Sequence, residues 1–187
     1  MAYIPTHVTQ KDESLCQWKN CWAAVGAWLV DGATRGDTRP TPETFRGHSK
    51  QAGDDCTTGG LGSISTGMLT LGIAVRRWND VSLEDARQMI AKPRSRRLYA
   101  FETDFIEWPE DLKCQTDFDG AHMVGVAPST YAAATDTIRT MDPLCTVMKR
   151  VPIEAVLACA AAYNHRHGGT IETVDILSVL VPERPEE

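Results

Sequence analysis

The sequence predicts an α+β fold, with helices gathered in the N-terminal half and an antiparallel sheet supplied by the C-terminal half. Three observations lead there. The ten residues Cys21–Val30, Cys-Trp-Ala-Ala-Val-Gly-Ala-Trp-Leu-Val, are apolar on every side. A helix without a polar face belongs in the middle of a core. The runs 121–127 and 137–142 read as two strands able to form a hairpin, and Pro143 stops the second because proline cannot continue a central ladder. Most of the helical stripes precede these strands.

Taken in order, Asn20 suits the N-cap of the apolar helix, and Asp31-Gly32 supplies its stop, with Gly32 as the left-handed residue past the last turn. Thr41-Pro42-Glu43 gives a cap, a first-turn proline and an acid for a short helix towards Lys50, weakened by Gly47. Between Thr57 and Leu71 the apolar positions Leu61, Ile64, Met68, Leu69 and Leu71 form a helical stripe that ends at Gly72. Ile73–Trp78 reads as a strand. Ser82 caps a helix over Leu83–Ala91, with Pro93 beyond its end. Leu98–Thr103 is a strand, and a polar stretch then leads to Gly120. After the 121–127 and 137–142 strands come a helix over Pro152–Tyr163 and a final strand over Ile171–Val181. Residues 1–181 are expected to form one domain, and 182–187 a disordered tail.

Composition excludes several classes. The chain has 187 residues, 42% hydrophobic and 24% charged, as in ordinary soluble domains. A net charge of −6 argues against nucleic-acid binding. The longest apolar run, ten residues, is too short to span a bilayer. The N-terminus lacks the basic and apolar regions of a signal peptide, so the expectation is a soluble, cytoplasmic or virion-associated protein.

The chemistry starts at Cys21. A thiol at a helix N-terminus meets the positive end of the dipole, which favours the thiolate. Alone it would read as a small core residue, since free cysteines are commonly buried. What changes that reading is His122 at the mouth of a buried strand and Asp142 at the end of the next one. If the two strands pair, the carboxylate can orient the imidazole. Nucleophile, base and orienter are the components of a thiol hydrolase, and that chemistry needs neither cofactor nor metal.

The motifs Cys-Trp-Ala-Ala opening an apolar helix, Gly-Ala-His-Met-Val-Gly-Val, and Met-Asp-Pro resemble those of papain-like cysteine peptidases, closest to the bacteriocin-processing (double-glycine) branch and its freestanding, often phage-encoded relatives. The resemblance spans roughly 10–181. It implies a papain-like fold with Cys21 as nucleophile, His122 as general base and acid, and Asp142 as orienter. The glutamine that the family uses for the oxyanion stands six residues before the cysteine. Here that position is Leu15, and Gln17 is the nearest candidate. A rival register places Gln10 six residues before Cys16, but Cys16 is followed by Gln-Trp-Lys-Asn instead of an apolar helical run.

The other cysteines form no Cys-x-x-Cys pair, which argues against structural zinc. Cys159 reads as core and Cys145 as turn packing, while Cys16 with Cys56 is an open disulfide possibility. His165 and His167 lack a nearby carboxylate or thiol for a metal. The basic run at Lys92, Arg94, Arg96 and Arg97 reads as a solvated connection. Asp104, Glu107, Glu110, Asp111, Asp117 and Asp119 precede His122, either as a solubilising loop or as a cleft wall that attracts a cationic substrate.

Three functions follow. The first is a cysteine peptidase or amidase acting on a protein or a bacterial cell-wall peptide. The second is a structural component of a phage virion, tail or other assembly, active or vestigial, with other virion proteins as partners. The third is an acyltransferase or deamidase with the same triad.

Overall fold

A computed structural model describes residues 3–9, 20–49, 59–114 and 120–183. The apolar run becomes α1 (Cys21–Ala33), and every residue from Trp22 to Gly32 is buried. Two short helices flank it, α2 (Pro42–His48) and α3 (Leu61–Thr70). The chain continues through β1 (Val75–Ser82), α4 (Leu83–Ile90), β2 (Arg97–Asp104), β3 (Ala121–Ala132), β4 (Thr137–Met141), β5 (Lys149–Pro152), α5 (Ile153–Arg166) and β6 (Thr173–Leu180). Two single 3-10 turns, Phe105–Glu107 and Glu110–Leu112, break the connection between β2 and β3.

The six strands form one sheet in the order β1-β6-β2-β3-β4-β5, with every neighbouring pair antiparallel. Alternation along the central strands sends side chains to two cores. Leu98, Ala100, Met123, Ala127, Leu177 and Val179 join α1, α2 and α3 on one face. Tyr99, Phe101, Val124, Val126, Val174 and Ile176 join α4 and α5 on the other. The architecture is α+β, with α1 packed on an antiparallel sheet.

Close approach of α1 to the sheet depends on a missing side chain. A Cβ at Gly125 would stand 2.6 Å from Trp28 Cζ3. The bare backbone there lets the indole press on β3, three residues past His122. On the other flank, Phe45 fills the gap between α1 and α3 against Gly26 and Gly67. Each such aromatic is fully buried, which stabilises the fold by about 1.5–3 kcal/mol.

Several boundaries differ from the sequence reading. Asn20 holds the N-cap position of α1 but makes no capping bond with its side chain, which instead accepts from Arg46 Nη1 at 3.5 Å. Gly32 does not end the helix. It is buried inside it because a Cβ there would collide with Leu98. The turn comes later, at Arg35 and Gly36, both with positive φ. Asp31 is an anchor: its carboxylate accepts from Tyr3 Oη at 2.8 Å, Thr6 N–H at 2.7 Å and Arg39 Nε at 3.1 Å. The caps at Thr41 and Ser82 form as expected, accepting from Thr44 and Asp85 N–H. α3 starts at Leu61, later than expected, and β5 was not anticipated. At the C-terminal end, Pro182 O accepts from Arg35 Nη1 and Glu183 pairs with Arg96. The rest of the expected tail, 184–187, lies outside the described residues.

Candidate active site

Cys21 is the first residue of α1, half-buried and free of any disulfide. His122 is the second residue of β3, opposite Thr103 of β2, whose hydroxyl donates to the His122 carbonyl at 3.2 Å. Asp142 follows the last residue of β4 directly. The β3–β4 hairpin brings the imidazole and the carboxylate together at 2.8 Å, His122 Nε2 to Asp142 Oδ1. The same Oδ1 accepts from Leu144 N–H at 2.9 Å. With Nε2 held by Asp142, Nδ1 is the ring nitrogen left for the thiol, and Cys21 lies near enough to raise the His122 pKa. The three residues that the sequence singled out therefore meet, in the order thiol, imidazole, carboxylate.

The electrostatics fit that order. Burial by itself would push the His122 pKa down, because it penalises the imidazolium. The hydrogen bond to Asp142 and the interaction with Cys21, with the charges of both, outweigh it and lift the pKa to about 9. Phe105 meets the imidazole edge-on at a centroid distance of 4.6 Å, and Trp108 stacks on Phe105 at 5.4 Å. Both rings are buried, and this apolar wall keeps water from competing for the His122–Asp142 bond.

Gln17, the candidate oxyanion residue, lies outside the described residues, as do Gln10, Leu15, Cys16 and Cys56. The acidic connection is only partly a free negative surface. Asp104 is buried, pairs with Arg166 at 2.7 Å and caps the first 3-10 turn through Ile106 N–H. Glu110 pairs with Lys113 at 2.7 Å. Glu107 and Asp111 are exposed, and Asp117 and Asp119 are outside the described residues.

Two neighbours of the site were missed. His7, which no sequence motif marks, places Nε2 3.1 Å from the Asp142 carbonyl oxygen. Burial lowers its pKa, against that contact. Cys145 is not mere turn packing, because it forms a disulfide with Cys114, which precedes β3. Its sulfur stands 3.4 Å from Asp142 Oδ2, and a disulfide sulfur has no proton to donate, so this is a packing contact. Cys114, Asp142 and Cys145 form the one group among the described residues whose ligand atoms lie close enough to share a metal ion. With both thiols joined in the disulfide, that set has no thiolate to offer. Cys159 is buried as expected, and burial pushes its thiol up to about 12.

No family model matches the chain, and neither does any curated protein. Solved structures do match. The peptidase domain of Streptococcus ComA, described as a bi-functional ABC transporter involved in a quorum-sensing pathway, superposes with a TM-score of 0.54 at 15% identity. That match covers 95% of this chain and 98% of the ComA domain. A putative C39-like peptidase from Bacillus anthracis gives 0.56 at 13% identity, over 97% and 96% of the two chains. The fold is that of C39 peptidase domains. That fold is matched over nearly the whole length of both neighbours. Among the described residues, no helix is long and apolar enough to cross a membrane.

Proposed function

We propose that the chain is a papain-like cysteine peptidase or amidase with Cys21 as nucleophile, His122 as general base and acid, and Asp142 as orienter. The observation that carries this reading is a buried histidine hydrogen-bonded to Asp142 and close enough to Cys21 to interact with it, its pKa raised to about 9. Such a histidine holds a proton next to the Cys21 sulfur, where a thiol hydrolase needs it for the leaving group. The Cys21 sulfur attacks the substrate carbonyl. The oxyanion that forms faces the N-terminus of α1, where the Cys21 N–H supplies a donor, and Gln17 is the residue assigned as its second donor. His122 then gives its proton to the leaving amine as the C–N bond breaks and the thioester remains. In the second half, His122 takes a proton from water, hydroxide adds to the thioester, and the thiolate departs. Asp142 keeps Nε2 engaged so that Nδ1 stays on the Cys21 side throughout.

The substrate is a protein or bacterial cell-wall peptide. The Cys114–Cys145 disulfide favours a place of action in an oxidising compartment, since reducing cytosol does not preserve such bonds. The test is hydrolysis of a peptide and peptidoglycan-fragment panel by wild type and by Cys21→Ser and His122→Ala. Turnover that both substitutions abolish, with folding retained, supports the reading. Turnover that survives Cys21→Ser contradicts it.

A further inference from the structure

A polar cavity opens past the end of the β2–β6 ladder. The β2–β6 ladder runs from Arg97↔Leu180 to Ala100↔Leu177. Past it, Glu102 of β2 and Asp175 of β6 line a cavity of about 210 Å³ with Ala160, Tyr163, Asn164 and His167 of α5. Pockets for whole small molecules run about 300–1,000 Å³, so this one has room for a single long side chain. Its wall is fixed: Asn164 Nδ2 donates to the Thr173 carbonyl at 3.0 Å and its hydroxyl at 2.9 Å, pinning the end of α5 to the start of β6.

The residue pair Gly59-Gly60 connects this cavity to Cys21. A Cβ at Gly59 would stand 2.5 Å from the ring of Trp22, the residue after the nucleophile. A Cβ at Gly60 would collide with Glu102 Oε1, which accepts from Leu61 N–H at 3.2 Å. Glu102 is also paired in register with Met123, the residue after His122. Tyr163 adds a third link. Burial and the charges of Glu102 and Cys21 push its phenol up to about 12, so it stays neutral in the cavity wall while sensing both groups.

The cavity chemistry is anionic. Asp175 is partly balanced, with Arg77 Nη2 at 3.4 Å from one oxygen and the Asp80 N–H at 3.0 Å from the other. Among the described residues Glu102 forms no ion pair within 4 Å, and burial raises its pKa although the Leu61 N–H and the charges of Arg77 and His167 act against that rise. A carboxylate desolvated in this way gains from an incoming positive charge. Glu102, Asp175 and His167 do not converge closely enough to hold one metal ion, so the geometry favours an organic cation. Ala160 and the Tyr163 ring can pack along an aliphatic stem while its head meets the carboxylate.

We propose that this cavity is the subsite that receives a cationic side chain of the peptide substrate, its ammonium or guanidinium set against Glu102. The inference rests on the reading of Cys21 as the nucleophile. It is tested with three tripeptidyl acyloxymethyl ketones carrying Lys at one position each, and three counterparts carrying norleucine, which has the lysine stem without the charge. Rates of Cys21 labelling are read by intact mass. At one position the Lys probe reacts at least about tenfold faster than its counterpart, the scale of one desolvated charge pair. Glu102→Gln, whose amide oxygen can still accept from Leu61 N–H, brings that ratio to about one. Asp175→Asn lowers it by a smaller factor and reads the same quantity if Glu102→Gln does not fold. Equal rates at all three positions, or a ratio that survives both substitutions, overturns the subsite. Iodoacetamide, which has no side chain to place, reports the nucleophile separately. If it labels Cys21 no faster in wild type than in His122→Ala, the proposed function fails instead.

Discussion

Replacing Asp142 by Asn keeps the shape of the side chain and removes its charge. Asp142 Oδ1 accepts from His122 Nε2 at 2.8 Å and from Leu144 N–H at 2.9 Å. An amide oxygen in the same place can accept both bonds, so the loop and the imidazole keep their positions. The loss is electrostatic. Burial alone would lower the His122 pKa, but the interactions with Asp142 and Cys21 outweigh it and raise the value to about 9. A hydrogen bond to a charged group contributes about 1.5 to 3 kcal/mol, or roughly 10- to 150-fold. Asp142→Asn should therefore lower kcat/KM by that factor and move the alkaline limb of the pH–rate profile from near 9 towards neutrality. Both are read from peptide hydrolysis across pH 5 to 10, with Tm as the control for folding. A rate within about threefold of wild type and an unmoved alkaline limb would refute Asp142 as the group that holds the charge on His122.

Three further outcomes follow from the same contacts. Gly26→Ala should destabilise by about 1–3 kcal/mol in urea denaturation, although alanine is the better helix former, because the new methyl collides with the Phe45 ring that Gly67 blocks from behind. Cys114→Ser with Cys145→Ser opens a link between residues 31 apart. By chain entropy that should cost about 3–4 kcal/mol of stability, and the double variant should lose its Tm difference between oxidised and reduced buffer. The folded pKa of His122, about 9, lies above the ordinary 6.5. Its stabilisation is full below pH 6.5 and is lost as pH rises through about 9. The Tm of wild type should fall across that window, and His122→Gln should flatten the decline.

Much of the site was legible because its parts lie at places that sequence marks clearly. A run apolar on all sides announces the buried helix, and a proline after Asp142 announces the end of β4. What was not legible is what tertiary contact decides. Gly32 has the chemistry of a helix stop, yet Leu98 presses on it and requires a glycine inside the helix. β6 inserts between β1 and β2, although its alternating pattern would suit any neighbour. β5 is four residues, Lys-Arg-Val-Pro, of which Val151 alone is buried, too short and too charged to announce a strand. Cysteine spacing does not determine pairing, so the Cys114–Cys145 bond could not be read. Nor could the acidic stretch be divided in advance into a buried ion pair at Asp104 and exposed acids at Glu107 and Asp111, because that depends on Arg166 arriving from α5.

The most direct measurement is the rate of iodoacetamide alkylation at Cys21 at pH 6, followed by intact mass and peptide mapping in wild type and in His122→Asn. An imidazolium that keeps its proton to about 9 should make Cys21 react at pH 6, while Cys159, buried and pushed up to about 12, stays unlabelled. His122→Asn should slow the reaction by an order of magnitude or more. Equal rates in the two proteins, or first labelling at another cysteine, would show that Cys21 and His122 do not act as a pair.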